Sequence, residues 1–302
     1  MSVGLPVFNG RSYLARAIDS LLAQDFADFE LIISDNASTD GTAAICEAYA
    51  ARDSRIRIYH NTVNVGAVPN HNRLPGLARG RYFRWAAHDD ECAPTMIGRC
   101  VAAFEAAPTS VVLVYPQALL IDSNGNVIRR YNTSIECRDP SPHRRLATVV
   151  RSVRLGTPVY GLIRSEALHK THLFGSFHSS DHVLLAELAL LGEIIEVPEP
   201  LFFKRMHHER ATQANDDIAA WDTWSNPTKM RRKGFLGRSD RVDLEYLRTV
   251  FSSRVARLEK LRCVWAVLWN STTQRDRCRR ILSRFGLFRE NRRTVATIPD
   301  LR

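Results

Sequence analysis

The stretch FELIISDNASTDGTAAICEAYAARD, residues 29–53, decides the fold class of this chain. Its first part, residues 29–34, is an unbroken apolar run, which is typical of a β-strand that is buried on both faces. Hydroxyl and carboxylate side chains follow, and they suit the N-terminus of a helix that we predict over residues 38–53. A strand that leads directly into a helix predicts an α/β fold.

The same alternation of strands and helices extends in both directions from this stretch. Further strands are predicted at 2–7, 55–60, 82–87 and 110–116, and further helices at 11–24, 68–78, 95–107 and 182–192. A chain that alternates in this way forms a mostly parallel sheet, because right-handed crossovers return each helix onto a face of the sheet. We therefore expect a Rossmann-like sheet flanked by helices.

Charge divides the chain into two regions. Residues 1–203 contain 19 basic and 21 acidic side chains, whereas residues 204–302 contain 23 basic and 11 acidic ones. The net charge of +10 therefore comes from the C-terminal third. We predict a folded domain at 1–210 and a basic, mainly helical region at 211–302. Such a region suits an anionic partner, and a solvated basic face explains the same composition.

The cysteines and the N-terminus indicate a cytoplasmic protein. The six cysteines show neither a C-x-x-C pair nor a zinc-binding spacing, which is typical of reduced thiols. The first residues lack the basic start and long apolar stretch of a signal peptide. No run approaches the ~20 apolar residues that a membrane-spanning helix needs.

Three polar loops are predicted at the carboxyl ends of the parallel strands, where sheets of this class bind ligands. They are residues 7–10, 35–37 and 88–91. The chain contains no G-x-G-x-x-G, G-x-x-x-x-G-K-[ST] or G-x-S-x-G motif, which argues against dinucleotide-dependent enzymes, P-loop enzymes and α/β-hydrolases. In the second loop, Asp35 could bind a nucleobase or could simply cap the following turn.

Two adjacent acids, Asp89 and Asp90, follow the strand predicted at 82–87. One acid is enough to cap the helix that begins near Thr95, and the second adds charge repulsion. A hard cation removes this repulsion, because Mg²⁺ and Mn²⁺ take carboxylate oxygens and keep positions open for phosphate oxygens. The pair therefore indicates a metal–diphosphate site at the edge of the sheet.

Two segments carry a resemblance to a known family. They are VGLPVFNGRSYLARAIDSLLAQDFADFELIISDNASTDGT at 3–42 and NVGAVPNHNRLPGLARGRYFRWAAHDDECAP at 64–94. With the later KRMHH segment, they resemble the family 2 glycosyltransferases of the nucleotide-sugar-dependent GT-A fold, over about residues 2–207. The resemblance implies transfer of a sugar from a nucleotide diphosphate donor to an acceptor hydroxyl, with inversion at the anomeric carbon.

The resemblance also implies roles for individual residues. The nucleotide-sugar-binding residues would be Pro6, Phe8, Asn9, Asp35, Asn36, Asn64, Asn72, Asp89 and Arg205. Mg²⁺ or Mn²⁺ would be held by Asp89, Asp90 and His207. The family motif usually reads D-x-D-D, and this chain has Ala87 in the first acidic position, which leaves the metal or ribose contact of that position open.

The general base implied by the resemblance is Asp181, at the head of the helix in HSSDHVLLAELALLG. Asp181 could also cap that helix, and both roles are compatible. Ser180 stands where the family often has Glu. A single displacement needs one base near the acceptor hydroxyl and no covalent nucleophile, while a metal neutralises the leaving nucleotide.

Alternative functions remain open at this stage. Ala87 and Ser180 would suit a non-catalytic nucleotide-sugar-binding relative, and a nucleotidyltransferase also combines acids, metal and diphosphate. The acceptor would be a glycan or a lipid-linked glycan. The basic segments 229–238 and 275–293 could hold the protein at the inner face of an anionic membrane, aided by Trp265, Trp269, Phe285 and Phe288. A nucleic-acid partner is not expected, because no recognised binding fold accompanies the charge.

Overall fold

The computed structural model describes residues 1–207, 224–225 and 238–270. The strands are β1 (Ser2–Val7), β2 (Glu30–Asp35), β3 (Ile56–His60), β4 (Tyr82–Trp85), β5 (Glu91–Cys92), β6 (Val111–Ile121), β7 (Val127–Tyr131), β8 (Leu162–Arg164) and β9 (Glu193–Arg205). The helices are α1 (Leu14–Leu22), α2 (Thr42–Ala50), α3 (Ala67–Leu77), α4 (Met96–Glu105), α5 (Pro142–Ser152), α6 (Ser165–Leu168), α7 (Ser180–Leu191), α8 (Arg238–Ser252) and α9 (Arg257–Asn270). A 3-10 turn spans Thr157–Tyr160.

The strands form a mixed sheet in the order β3-β2-β1-β4-β8-β6-β9-β5, with β7 paired to β6. The pairs among β3, β2, β1 and β4 are parallel, and so is the pair of β6 with β9. Antiparallel β8 lies between β4 and β6. The predicted α/β fold with a mostly parallel sheet is therefore confirmed.

The strand register places the carboxyl ends of the parallel strands side by side. Val7 of β1 is opposite Asp35 of β2, and Asp35 is in turn opposite His60 of β3. On the other half of the sheet, Ile121 at the end of β6 is opposite Arg205 at the end of β9. The loops that follow these strands therefore share one edge of the sheet.

Hydrophobic clusters cover both faces of the sheet. Alternation along β2 sends Leu31 and Ile33 to one cluster and Ile32 to the other, as the two-residue period of a strand requires. On the first face, α1 buries Leu14, Ala17, Ile18 and Leu21, the positions that its helical spacing predicts. Both faces of the central strands are thus buried, which explains their unbroken apolar runs.

Several element boundaries differ from the predicted ones, and two of them bear on the site. Helix α2 begins at Thr42 rather than at residue 38, because Gly41 adopts a left-handed conformation with φ of 97°. The Asp40 carboxylate accepts a hydrogen bond of 3.0 Å from the Thr42 N–H, so the preceding residues form a capping loop. Strand β4 ends at Trp85 rather than at residue 87, and the chain then turns into the loop with the two aspartates.

The last two helices that the structure describes, α8 and α9, pack against α7 and α5. Tyr246 and Val250 of α8 and Cys263 and Val267 of α9 join the cluster that contains Leu184 of α7. The basic segment 275–293 and nearly all of 229–238 lie outside the described residues, so the predicted division at residue 210 stays a prediction. Among the helices that the structure describes, none is long and apolar enough to cross a membrane.

Candidate functional site

The loops after β1 and β2 are joined by hydrogen bonds. Asn9 has a left-handed backbone with φ of 51°, its N–H donates to Ser38 Oγ at 2.9 Å, and its side-chain oxygen accepts from the Thr39 N–H at 2.9 Å. Pro6 lies at the end of β1, and Phe8 is 39% exposed at the edge of the sheet. The residues predicted for the nucleotide pocket therefore lie together, with an aromatic ring open to a ligand.

Asp35 is buried beneath these loops. One of its carboxylate oxygens accepts a hydrogen bond from the Ser38 N–H at 3.3 Å, so Asp35 does cap the turn. The other oxygen lies 3.2 Å from His60 Nδ1, and His60 Nε2 lies 2.8 Å from Glu47. Hydrogen bonds to Glu47 and Asp35 raise the pKa of His60 against the opposing effect of burial. The sequence interpretation missed His60, although its place at the end of β3 marks it.

A network of amide side chains shapes the loop after β3. The Asn36 side chain donates to Asn64 Oδ1 at 2.8 Å, and its oxygen accepts from the Val65 N–H at 3.0 Å. Asn61 Nδ2 donates to the same oxygen at 2.9 Å. Asn36 and Asn64 are thus engaged with the protein, and they fix the loop at the carboxyl edge of the sheet.

Asn72 holds a distant loop instead of facing the strand ends. Its side-chain nitrogen donates to the Phe174 carbonyl at 2.8 Å, and its oxygen accepts from the Phe174 N–H at 3.0 Å. This pair of bonds ties α3 to the segment that precedes α7. Any support of the donor site by Asn72 therefore acts through the position of this segment.

The two adjacent aspartates have different surroundings. Asp90 is buried, with one oxygen 2.8 Å from the Arg205 N–H and the other 3.4 Å from Lys204 Nζ. Burial raises the pKa of Asp90. The positive charge of Lys204 opposes this rise, and the negative charge of Asp89 adds to it. Asp89 instead places an oxygen 2.9 Å from His207 Nε2. Burial opposes its ionisation, but the hydrogen bond from His207 and nearby positive charges hold the pKa of Asp89 below its usual range.

Arg205, which the sequence predicts as a ligand of the donor, is bonded to other groups of the protein. Its buried guanidinium donates to the carbonyl oxygens of Asp89, Asp122 and Ser123, and it pairs with the Glu91 carboxylate. The guanidinium also lies 4.8 Å from the centre of the Tyr13 ring. In this arrangement Arg205 fixes the loop of the two aspartates, and the predicted phosphate contact would require these bonds to open.

Asp89 and His207, two of the three predicted metal ligands, contact each other directly. His207 Nδ1 is buried and has no hydrogen-bond partner in the described part of the chain, so this imidazole has an unused ligand atom. No group of three or more His, Cys, Asp or Glu side chains suited to a metal occurs among residues 1–207, 224–225 and 238–270. Two protein ligands are enough when substrate phosphates and water complete the coordination. The oxygens of Asp90 face Lys204 and the β9 backbone, so Asp90 supports this pair.

A pocket of about 200 Å³ lies at the N-terminus of α7. Its lining includes His71, Leu155, Val159, Tyr160, Phe174 and Asp181. Burial lowers the pKa of His71 to about 4, so its ring is neutral near pH 7. Asp181 stands in the first turn of α7, and its carboxylate makes no hydrogen bond or ion pair with any residue that the structure describes. A carboxylate in a largely apolar pocket, without a partner in the described part of the chain, is suited to accept a proton.

Gly156 and Tyr160 border this carboxylate. A Cβ atom on Gly156 would overlap with Asp181 Oδ2, so only glycine allows the approach. Burial raises the pKa of Tyr160, and three nearby carboxylates raise it further, whereas Lys204 opposes the rise. The three carboxylates belong to Asp89, Asp90 and Asp181. Tyr160 therefore lies within electrostatic range of both the aspartate pair and the candidate base, and the sequence interpretation missed it.

Comparisons with known sequences agree on one family. The family model described as "Glycosyl transferase family 2" matches residues 2–170. The uncharacterized glycosyltransferase RP339 of Rickettsia prowazekii is 31% identical over 243 residues, which cover 77% of this chain and 73% of RP339. TuaG of Bacillus subtilis, whose name links it to teichuronic acid biosynthesis, is 26% identical and covers 60% of this chain and 82% of its own length. The match to the glycosyltransferase GlyG of Streptococcus pneumoniae is 32% identical and spans only 32% of GlyG.

Solved structures share the fold at low sequence identity. TarS of S. aureus, in complex with UDP-GlcNAc, has a TM-score of 0.63 and 16% identity over 88% of this chain and 71% of that one. The mannosyltransferase PcManGT of Pyrobaculum calidifontis, in complex with GDP-Man and Mn²⁺, has a TM-score of 0.55 and 13% identity over 94% of this chain and 74% of that one. At these identities the likeness establishes the fold alone, and it confirms the predicted GT-A fold.

Proposed function

The chain belongs to glycosyl transferase family 2, and on this premise we propose that it transfers a sugar from a nucleoside diphosphate donor to an acceptor hydroxyl. One observation carries the proposal. The carboxylate of Asp181, which has no hydrogen-bond or ion-pair partner among the described residues, shares a pocket with Tyr160. The centre of the Tyr160 ring lies 5.4 Å from Lys204 Nζ, and this ammonium group is 3.4 Å from Asp90. A base for the acceptor and an acidic pair for the diphosphate are the two groups that such a transfer needs.

The donor nucleotide would lie across the loops after β1 and β2. Phe8 offers an exposed ring for stacking, while Asn9 and Asp35 hold the loop shape and supply acceptors for the base. Pro6, Asn36 and Asn64 complete the walls of this pocket, and Asn72 acts through the segment that it holds. Solved relatives of the same fold bind UDP-GlcNAc and GDP-Man, which supports a nucleotide sugar as the donor class.

Asp89 and His207 would hold Mg²⁺ or Mn²⁺ in the donor complex. The metal, when bound, supplies the positive charge that neutralises the leaving diphosphate. Asp90 and Arg205 keep Asp89 in place, because Asp90 accepts from the β9 backbone and Arg205 donates to the Asp89 carbonyl. The Mn²⁺ in the PcManGT complex supports a divalent metal as the cofactor.

Asp181 would remove the proton from the acceptor hydroxyl. The acceptor oxygen then forms a bond to the anomeric carbon while the bond from that carbon to the diphosphate oxygen breaks. Because attack and departure occur on opposite faces of the sugar, a single displacement inverts the anomeric centre. Tyr160 borders the reacting centre and would exclude water on one side of it.

The acceptor would be a glycan or a lipid-linked glycan in the synthesis of an envelope polysaccharide or another glycoconjugate. The name of TuaG supports this class. We place the protein in the cytoplasm, in peripheral contact with the inner face of the membrane where lipid-linked acceptors are exposed. No nucleic-acid partner is proposed.

A transfer assay with Asp181→Asn tests the base. With Mn²⁺, a nucleotide sugar and an acceptor, we expect the rate of nucleoside diphosphate release to fall about 10²- to 10⁴-fold, while donor binding is retained. Glu166→Gln is the matched control, because Glu166 is also an acid in the first turn of a helix but is exposed outside the pocket. Donor binding without nucleotide release by the natural chain would favour a non-catalytic relative, and release of pyrophosphate would favour a nucleotidyltransferase.

A further inference from the structure

Helix α9 exposes a row of large apolar side chains. They are Leu258, Leu261, Trp265, Leu268 and Trp269, and their exposed fractions range from 46% to 74%. We call this row the Trp face. The rings of Trp265 and Trp269 stack on each other with their centres 5.9 Å apart. Single exposed apolar side chains are common on protein surfaces, but a contiguous patch of this kind marks contact with a partner or a membrane.

The Trp face is one side of an amphipathic helix. At about 100° per residue, its five side chains fall within an arc of about 100° along α9. Cys263, Ala266 and Val267 point to the opposite side, where they are buried. The helix is also anchored at its start by Glu259, which accepts hydrogen bonds from the backbone and ring of His143 on α5. The outward orientation of the Trp face is therefore fixed by packing.

Positive charge surrounds this face. In the same helical projection, Arg257 and Arg262 lie on either side of the apolar arc. The chain that continues from α9, residues 271–302, contains nine arginines and three acidic residues. Apolar side chains with tryptophans, bordered by arginines, are the composition of helices that lie in the interface of an anionic membrane. A second copy that docked the same face would bring arginines near each other, and the arc contains no acid to pair with them.

We propose that α9 lies flat on an anionic lipid bilayer with the Trp face inserted among the headgroups. A helix of 14 residues is ~21 Å long, which is too short to span the hydrocarbon core and suits a parallel orientation. Tryptophan rings favour the interfacial depth because they combine an apolar body with a polar N–H. The inference names the surface for the membrane contact proposed above, and it does not depend on sugar transfer.

Vesicle sedimentation of the full chain tests this surface without donor, metal or acceptor. We expect binding to vesicles of phosphatidylcholine mixed with phosphatidylglycerol, little binding to phosphatidylcholine alone, and weaker binding as salt rises. The double variant Trp265→Ser, Trp269→Ser should lower the partition coefficient at least about tenfold. The matched control is Val127→Ser, Ile128→Ser, because both residues are exposed apolar side chains on β7, away from α9. This control should bind as the natural chain does.

Quenching by brominated lipids supplies a second, direct readout. Fluorescence from Trp265 and Trp269 should be quenched on binding, and the quenched fraction should disappear in Trp265→Phe, Trp269→Phe while sedimentation persists, since phenylalanine keeps the apolar face. Failure of the natural chain to sediment with anionic vesicles would overturn the proposal. So would a dimer that dissociates only in the serine variant, because the face would then be an interface between copies. Either result leaves the transfer assay unaffected.

Discussion

At the scale of single residues, the two aspartates of the loop after β4 have separate tasks although they are neighbours. Asp90 is bonded to the β9 backbone and to Lys204. Asp89 instead pairs with His207, whose second ring nitrogen has no partner among the residues that the structure describes. The sequence predicts that two adjacent acids need a positive partner. It cannot predict which cations supply it, because Lys204 and His207 are 114 and 118 residues away from their partners in the chain.

A buried arginine in β4 gives a prediction about stability. The terminal nitrogens of Arg84 lie 3.4 Å from the sulfur atoms of Cys92 and Met96, and Arg84 Nε has no partner among the described residues. Sulfur is a weak acceptor, and a buried charge without strong partners is costly. We expect Arg84→Met to raise the free energy of unfolding by about 1 kcal/mol or more, as measured by urea denaturation.

Arg145 is the control for this substitution. It is equally buried, but its guanidinium donates to the carbonyl oxygens of Asp139, Pro140 and Ala189. Arg145→Met leaves these acceptors unpaired and should lower the free energy of unfolding by about 1–3 kcal/mol. Equal destabilisation by both variants would contradict the view that Arg84 is held at an electrostatic cost.

At the scale of elements, local sequence patterns predict the strands and helices whose burial follows from their own spacing of apolar residues. The apolar runs of β1 and β2 and the helical spacing of α1 are confirmed, since one strand period or one helix face is enough to define each. The pocket around Asp181 depends instead on how α3, the 3-10 turn and α7 meet. The Asn72–Phe174 bonds that hold this arrangement join residues 102 apart, and no local pattern encodes them.

The close approach of Gly156, which precedes the 3-10 turn, to Asp181 of α7 predicts the effect of adding a methyl group at residue 156. Gly156 has φ of 61°, and an added Cβ would overlap with the Asp181 carboxylate. Gly156→Ala should therefore displace Asp181 and lower kcat by about 10²-fold, and it should also cost about 1–2 kcal/mol of stability. Transfer kinetics and urea denaturation measure the two effects.

Gly76→Ala is the matched control for the glycine substitution. Gly76 lies inside α3 with no atom within 4 Å of an added Cβ, so alanine should keep the activity and stabilise the helix slightly. Full activity in Gly156→Ala would show that the position of Asp181 does not limit the reaction.

At the scale of the whole molecule, the sheet brings together two halves of the site that are distant in sequence. The loops after β1, β2 and β4 form one half of the candidate site, and the end of β9 and the head of α7 form the other half. Strand β9 joins them, because it pairs with β6 and carries Lys204, Arg205 and the chain to His207. A donor–metal complex that contacts both halves should therefore stabilise the whole fold, since ligands that bind only the folded state raise its stability.

This coupling predicts how the melting temperature responds to ligands. A nucleoside diphosphate with Mn²⁺ should raise Tm more than either alone, and saturation at about 100 times Kd corresponds to about 2.7 kcal/mol. His207→Gln should remove the part of the shift that depends on Mn²⁺, because it removes one of the two proposed ligands. His143→Gln is the control, since His143 pairs with Glu259 of α9 and takes no part in the candidate site. If UDP and GDP gave the same shifts in excess EDTA as in Mn²⁺, then Asp89 and His207 would not hold a metal, and the diphosphate would have to be bound by the protein's own cations.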